Sequence, residues 1–199
     1  KGKPWRVILL YTLPIIAGNM FQQLYSMVDT IIVGQSLGTE ALAAVGSTGS
    51  LNFLVNGFST GIAGGFAVLP AQFFGAKDEK RLKKSVGQAI LLCLFFTVLL
   101  TALSVIFTRP VLVLMKTPEN IIGMADVYIK TIFWGICATI LYNMCSCVIR
   151  ALGDSKTPLY FLILASFLNI GLDLLFIIVF KWGVFGAAFA TVLSQGVSG

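Results

Sequence analysis

Histidine is absent from this chain, and charge is scarce: Asp, Glu, Lys and Arg make up 11% of 199 residues, whereas hydrophobic residues make up 57%. Without histidine the chain lacks the side chain that most often titrates near neutrality and the commonest metal ligand. Nor does it offer a nucleophile beside a base, or a phosphate-cradling glycine loop after a strand, so no enzyme is expected. The composition is that of an all-α integral membrane protein. A net charge of +6 does not point to nucleic acid, because the basic residues sit in short segments between long apolar runs instead of forming one face with interleaved aromatics. The four cysteines, Cys93, Cys137, Cys145 and Cys147, lie within apolar runs and read as small buried hydrophobes, not as metal ligands.

What is present is a series of apolar runs. Spans are expected at about residues 7–36, 45–74, 86–107, 127–149 and 159–180, with a sixth beginning at about 184. The chain opens on Lys1 and stops at Gly199, about 16 residues into its last run, so it reads as a fragment with the sixth helix truncated. The first run is too long for a signal peptide and lacks a cleavage-site pattern. Gly57, Gly61 and Gly65 repeat at the spacing that lets membrane helices approach closely. Residues 75–84, GAKDEKRLKK, read as a cytoplasmic loop, and residues 108–126 as an outside loop with some interfacial helix. The third span, rich in Leu, Phe and Val, is expected to face lipid. Lys1, Lys3, Arg6, the basic loop, Arg150 and Lys156 fall on one side if the spans alternate, which puts the N-terminus in the cytoplasm.

Against this background Asp29 stands out. An ionised side chain at the centre of a membrane helix costs at least about 2.5 to 3.5 kcal/mol, so such residues usually face a protein-lined or wet cavity and handle ions or protons. Gln22, Tyr25 and Asp29 fall at i, i+3 and i+7, on one helical face. Pro14, near the start of the same span, predicts a bend. Asp29 lies 15 residues beyond Pro14, and Asp173 lies 15 residues beyond Pro158 on another helix leaving the same side. Both therefore stand roughly 22 Å from the inner boundary. Asn169 shares a face with Asp173, and Thr191 descends from outside to nearly the same depth. If the two carboxylates are close, both cannot be cheaply ionised without a cation, so the pair should share a proton or hold a monovalent ion such as Na⁺. The bland alternative is neutral interhelical hydrogen bonding that only stabilises packing. Asn143, nearer the cytoplasmic end of its span, and Tyr25, one turn before Asp29, are weaker candidates for contacts with the site or the substrate.

These residues carry a resemblance. The Pro14 span leading to YSMVDTIIVG around Asp29, FFGAKD after the second span, the turn RALGDSKTP, LNIGLDLLF in the fifth span and GAAFAT opening the sixth resemble, in order and spacing, the N-terminal half of a multidrug and toxic compound extrusion (MATE) transporter. The resemblance implies a six-helix N-lobe of a twelve-helix antiporter in the plasma membrane. The missing C-lobe would be its partner. Organic cations, drugs or other amphipathic compounds would leave in exchange for Na⁺ or H⁺, with no further cofactor. It also implies that Asp29, Asn169, Asp173 and Thr191 form the coupling-cation or proton site, with Asn143 or Ser146 at a further family position. Two alternatives remain: a flippase for lipid-linked saccharides on a related fold, which would favour a cavity lined by several Arg or Lys, and a non-transporting membrane scaffold subunit.

Overall fold

The helices of this chain begin and end where short polar side chains and glycines permit it. The computed structural model describes residues 4–198, so Lys1 and Lys3 of the basic start, and Gly199, lie outside the described residues. The helices are α1 (Pro4–Leu37), α2 (Thr39–Gly75), α3 (Glu79–Leu114), α4 (Glu119–Trp134), α5 (Ile136–Ala151), α6 (Thr157–Asp173) and α7 (Gly183–Ser198). A π-helical turn, Leu174–Val179, extends α6. There is no strand among the described residues.

Asp78 caps α3 by accepting from the Arg81 N–H at 3.0 Å. Asp154 does the same for α6: its Oδ1 accepts from the Lys156 and Thr157 N–H groups and its Oδ2 from the Thr157 hydroxyl. Gly153, at φ 95°, supplies the left-handed residue that lets the chain turn back after α5. These bonds, chiefly that from the Thr157 hydroxyl, hold the exposed Asp154 carboxyl below the usual carboxylate range.

The bundle has two halves. In one, α2 packs against α3, α4 and α5; in the other, α6 packs against α1 and α7; α7 joins them by contacting α4 and α5. Small residues set the approach, with Ala44, Ala63, Ala125, Ala187, Ala188 and Ala190 wholly buried. Phe133, Leu112, Ile129 and Ile140 fill the largest buried volumes.

Several features depart from the sequence expectation. Gly57, Gly61 and Gly65 are exposed, and a Cβ on any of them would meet nothing within 4 Å. The packed stripe of α2 is Val55, Ser59, Ala63 and Ala67, at the same four-residue spacing two positions away. Residues 75–84 are not a loop: only Ala76, Lys77 and Asp78 separate α2 from α3, because the Asp78 cap starts the helix within the basic run. Residues 108–126 are mostly helical, since α3 continues through Pro110 to Leu114 and α4 begins at Glu119. Of the four cysteines only Cys93 is buried; Cys137 is exposed and Cys145 and Cys147 are half-buried. At Pro14 the helix α1 continues unbroken, although proline removes one backbone donor there.

By length and composition, α2, α3 and α6 with its π extension can each cross a membrane. The pair α4 and α5 passes the same test together, bent by 46°. The α1 helix is long enough at 34 residues but is diluted by Asn19, Gln22, Gln23 and Asp29, and α7 is a shorter apolar helix of 16 residues.

The bend between α4 and α5 falls at Gly135, where a Cβ would come 2.2 Å from Val192 Cγ2 on α7. Gly135→Ala should destabilise by about 1–3 kcal/mol through overpacking. A lowered Tm of the whole protein in detergent, largely recovered by adding Val192→Ala, is the expected result; melting unchanged by Gly135→Ala would contradict the close approach. For Asp154, a folded-state pKa below the unfolded value means that its bonds stabilise the turn above the ordinary carboxylate pKa of about 3.9 and release it as the pH falls through the lowered value. Asp154→Ala should therefore speed amide exchange at Lys156 and Thr157 near neutrality, and the difference should vanish in strong acid.

Candidate functional site

The α1 and α6 helices pack together, and each brings a carboxylate to the contact. Asp29 is 8% exposed, Asp173 is fully buried, and the two carboxyls lie within hydrogen-bonding reach of each other. Asn169, one turn below Asp173, is 1% exposed. With its carboxamide oriented to satisfy both ends, Nδ2 donates to Asp173 Oδ2 at 3.1 Å and Oδ1 accepts from the Thr191 N–H at 3.2 Å. The Thr191 hydroxyl donates to the Ala187 carbonyl at 3.2 Å. Asn169 thus ties α7 to the carboxylate of α6. The structure brings Asp29, Asn169, Asp173 and Thr191 together, drawn from α1, α6 and α7.

The cluster is incompletely satisfied. Asp29 Oδ1 and Asp173 Oδ1 are buried, and neither has a hydrogen-bond partner among the described residues. Buried polar atoms are nearly always paired, and an unpaired one costs about 1–3 kcal/mol or more when charged. Two acidic side chains in contact, with two orphaned oxygens, an amide and a hydroxyl nearby, are a donor set suited to a proton or a small monovalent cation. Among the described residues no three His, Cys, Asp or Glu side chains gather as a metal site.

Two tyrosines flank the pair. Tyr25, one turn before Asp29, is half-buried and lies near both carboxylates; Tyr128, on α4, is 5% exposed and lies near Asp29, Asp173 and Tyr25. Sequence reasoning missed Tyr128 because it placed the preceding residues in a loop, which left Tyr128 at the membrane surface. The apolar spacing of Ile121, Ala125, Ile129 and Ile132 was the available signal, since it makes one buried helical face through this stretch.

In front of the carboxylates is a cleft of about 490 Å³ lined by both polar and apolar side chains. Tyr25 and Thr191 belong both to its wall and to the surroundings of the carboxylates, whereas Asp29 and Asp173 do not line it. The acids lie one layer deeper. Gln22 lines the cleft from α1, Asn52 and Asn56 from α2, Asn143 and Ser146 from α5, and Gln195 from α7. Asn143 therefore stands in the cleft wall on a different helix from either acid. Thr139 donates to Gln195 Oε1 at 2.6 Å, joining α5 to α7, and Asn56 donates to Asn52 within α2. Pro14 lines neither the cleft nor the hydrogen-bonded cluster. Its place is in the α1 backbone that carries Tyr25 and Asp29.

A family model described as MatE matches residues 14–175. The chain is 38% identical to the probable multidrug resistance protein YoeA of Bacillus subtilis (strain 168), over 98% of this chain and 43% of the relative. It is 36% identical to the probable multidrug resistance protein YpnP of the same organism, over 100% of this chain and 44% of the relative. Among solved structures, a MOP superfamily transporter from Pyrococcus furiosus Vc1 (DSM3638) superposes with a TM-score of 0.91 at 28% identity, covering 99% of this chain and 43% of that one. The chain thus spans less than half the length of these relatives.

Replacing Asn169 by Ala removes both bonds of the bridge and leaves a further Asp173 oxygen unpaired. A loss of about 1–3 kcal/mol is expected, read as a lowered Tm of the whole protein in detergent. A variant that melts with the wild type would mean that Asn169 does not brace the pair.

Proposed function

The chain belongs to the MatE family, and from that premise we propose that it is the N-terminal lobe of a cation-coupled antiporter that exports small amphipathic compounds by alternating access. The whole protein, in this reading, lies in the plasma membrane with its N-terminus in the cytoplasm, spans the bilayer six times in this lobe and takes its remaining cavity wall from a C-terminal lobe. The relatives named as multidrug resistance proteins support export as the activity.

The single observation that carries the mechanism is the layering of the site. Tyr25 and Thr191 are shared between the cleft and the buried carboxylates. A proton or Na⁺ arriving between Asp29 and Asp173 relieves their mutual repulsion and supplies the partner that their orphaned oxygens lack. Thr191 and Asn169, held in one bonded chain with Asp173, then reset with it, and the cleft wall changes shape. Coupling follows because the ion binds one conformation better than the other, and only that difference in affinity shifts the population. Na⁺ and H⁺ are both substrates compatible with this oxygen set.

The flippase reading asks for several Arg or Lys around a cavity, and among the described residues the cleft contains one cation, Arg150. A scaffold role would leave the shared layer without a purpose.

The test uses the whole protein in proteoliposomes, with a Na⁺ gradient and a pH gradient imposed separately and a fluorescent organic cation and anion as probes. Flux driven by one gradient, and lost in Asp29→Asn and in Asp173→Asn while both variants keep a folded elution profile and Tm, is the expected outcome. Wild-type protein with no gradient-driven flux of either probe, or flux indifferent to both substitutions, would overturn the reading.

A further inference from the structure

The cleft has a charge pattern that the coupling mechanism does not use. Among the described residues its wall contains carboxamides from α1, α2, α5 and α7, hydroxyls, and the rings of Tyr25, Phe53 and Tyr142, but no carboxylate. Its single charged member among the described residues is Arg150, in the last turn of α5. An organic cation would meet dipoles here and one like charge.

Arg150 is also uncompensated. The ion pairs among the described residues are Asp78 with Arg81 and Asp126 with Lys130, and neither involves it. The nearest acid in sequence is Asp154, whose two carboxylate oxygens are occupied by Lys156 and Thr157 at the start of α6. Tyr142 and Cys147 lie beside the guanidinium, and neither is an anion under ordinary conditions. Arg150 Nε is buried and has no hydrogen-bond partner among the described residues. The backbone at the same residue is fixed, since its carbonyl accepts from the Tyr11 hydroxyl at 2.8 Å, so α1 holds this end of α5 in place. A guanidinium taken partly out of water, with an orphaned donor and no counter-ion, is unfavourable unless an anion reaches it, and its planar fork suits carboxylate or phosphate.

We propose that this lobe's cleft binds amphipathic organic anions: a carboxylate or phosphate placed on Arg150, an apolar or aromatic body beside Tyr142 and Phe53, and hydrogen-bonding groups met by the surrounding amides. The proposal rests on the transport reading for its purpose but not for its test, because binding is measured without a gradient. The chemistry on Arg150 is that of any phosphate or carboxylate, whether carried by a soluble compound or by a lipid headgroup; the cleft's amides and rings favour the soluble compound.

Two dyes on one xanthene scaffold separate charge from shape: anionic carboxyfluorescein and cationic rhodamine 6G. Binding to the purified whole protein in detergent is followed by fluorescence anisotropy at low and moderate salt. Carboxyfluorescein is expected to bind at least about tenfold tighter than rhodamine 6G, a preference reduced by about tenfold in Arg150→Gln and kept in Arg150→Lys. Gln195→Glu retains the acceptor for Thr139 and adds a negative charge, so it should also weaken the anion; it serves if Arg150→Gln does not fold. Equal or tighter binding of rhodamine 6G, no binding of either dye, or carboxyfluorescein binding unchanged by both substitutions would overturn the assignment. Phosphatidylglycerol that displaces the dye with an Arg150-dependent affinity above that of carboxyfluorescein itself would also overturn it, and would give the residue to a lipid headgroup. Anion binding without gradient-driven flux would leave the cleft assignment standing and sink the exporter reading.

Discussion

Two acidic side chains in contact inside an apolar bundle are the constraint on which the other arrangements depend. Asp29 is nearly buried, Asp173 is fully buried, and one oxygen of each has no hydrogen-bond partner among the described residues. The helices that carry them must therefore be packed closely enough to share whatever neutralises them. Close packing in turn requires small residues, and the alanines of α7 provide them: Ala187, Ala188 and Ala190 are wholly buried along the helix that also presents Thr191. The break at Gly135 belongs to the same arrangement, because it lets α7 seat Val192 against the chain between α4 and α5. That contact places Tyr128 above the carboxylates and Thr139 beside Gln195, on opposite sides of the bend.

Much of this was legible from the sequence, for identifiable reasons. An aspartate inside an apolar run is conspicuous, and helical rise converts residue counts into depth, so placing Asp29, Asp173 and Thr191 at a common level needed only the span boundaries. The face shared by Asn169 and Asp173 followed from their four-residue spacing. What could not be read was how deep each face lies once the helices meet. Gln22, Tyr25 and Asp29 share one stripe in sequence, yet Gln22 opens onto the cleft and Asp29 is buried behind it. The α2 glycines illustrate the same limit. Two interleaved small-residue stripes have the same period, and only the neighbouring helices decide which is packed. Tyr128 was lost through a boundary error, since mixed charge and two prolines look like a loop even where a helix passes through them.

The cleft and the carboxylate layer have opposite chemistry separated by one shell of side chains. Behind Tyr25 and Thr191 are two acids, each with one oxygen that has no partner among the described residues; in front, among the described residues, are amides, hydroxyls and one guanidinium. On the proposed reading, a bundle arranged this way would keep an ion between the acids and a ligand in the cleft from competing for the same atoms. It also means that a residue in the dividing shell, such as Thr191, contributes to both sides, so its replacement will not report on either one alone.

The π-helical turn after Asp173 has a practical consequence for anyone numbering faces along this helix. A π turn holds more residues than an α turn, so each residue along it advances by less than the roughly 100° of a regular helical wheel. Up to Asp173 the wheel drawn from the sequence is correct; from Leu174 to Val179, where the helix ends, the faces drift progressively away from it. Phe176 and Phe180, four residues apart, still stack on each other at 5.9 Å, and Phe176 meets Trp182 at 5.0 Å. An accessibility or cysteine-labelling scan across residues 165–179 will therefore show its period lengthen after Asp173, and a single α-helical sinusoid fitted through it would misassign the last residues of the helix.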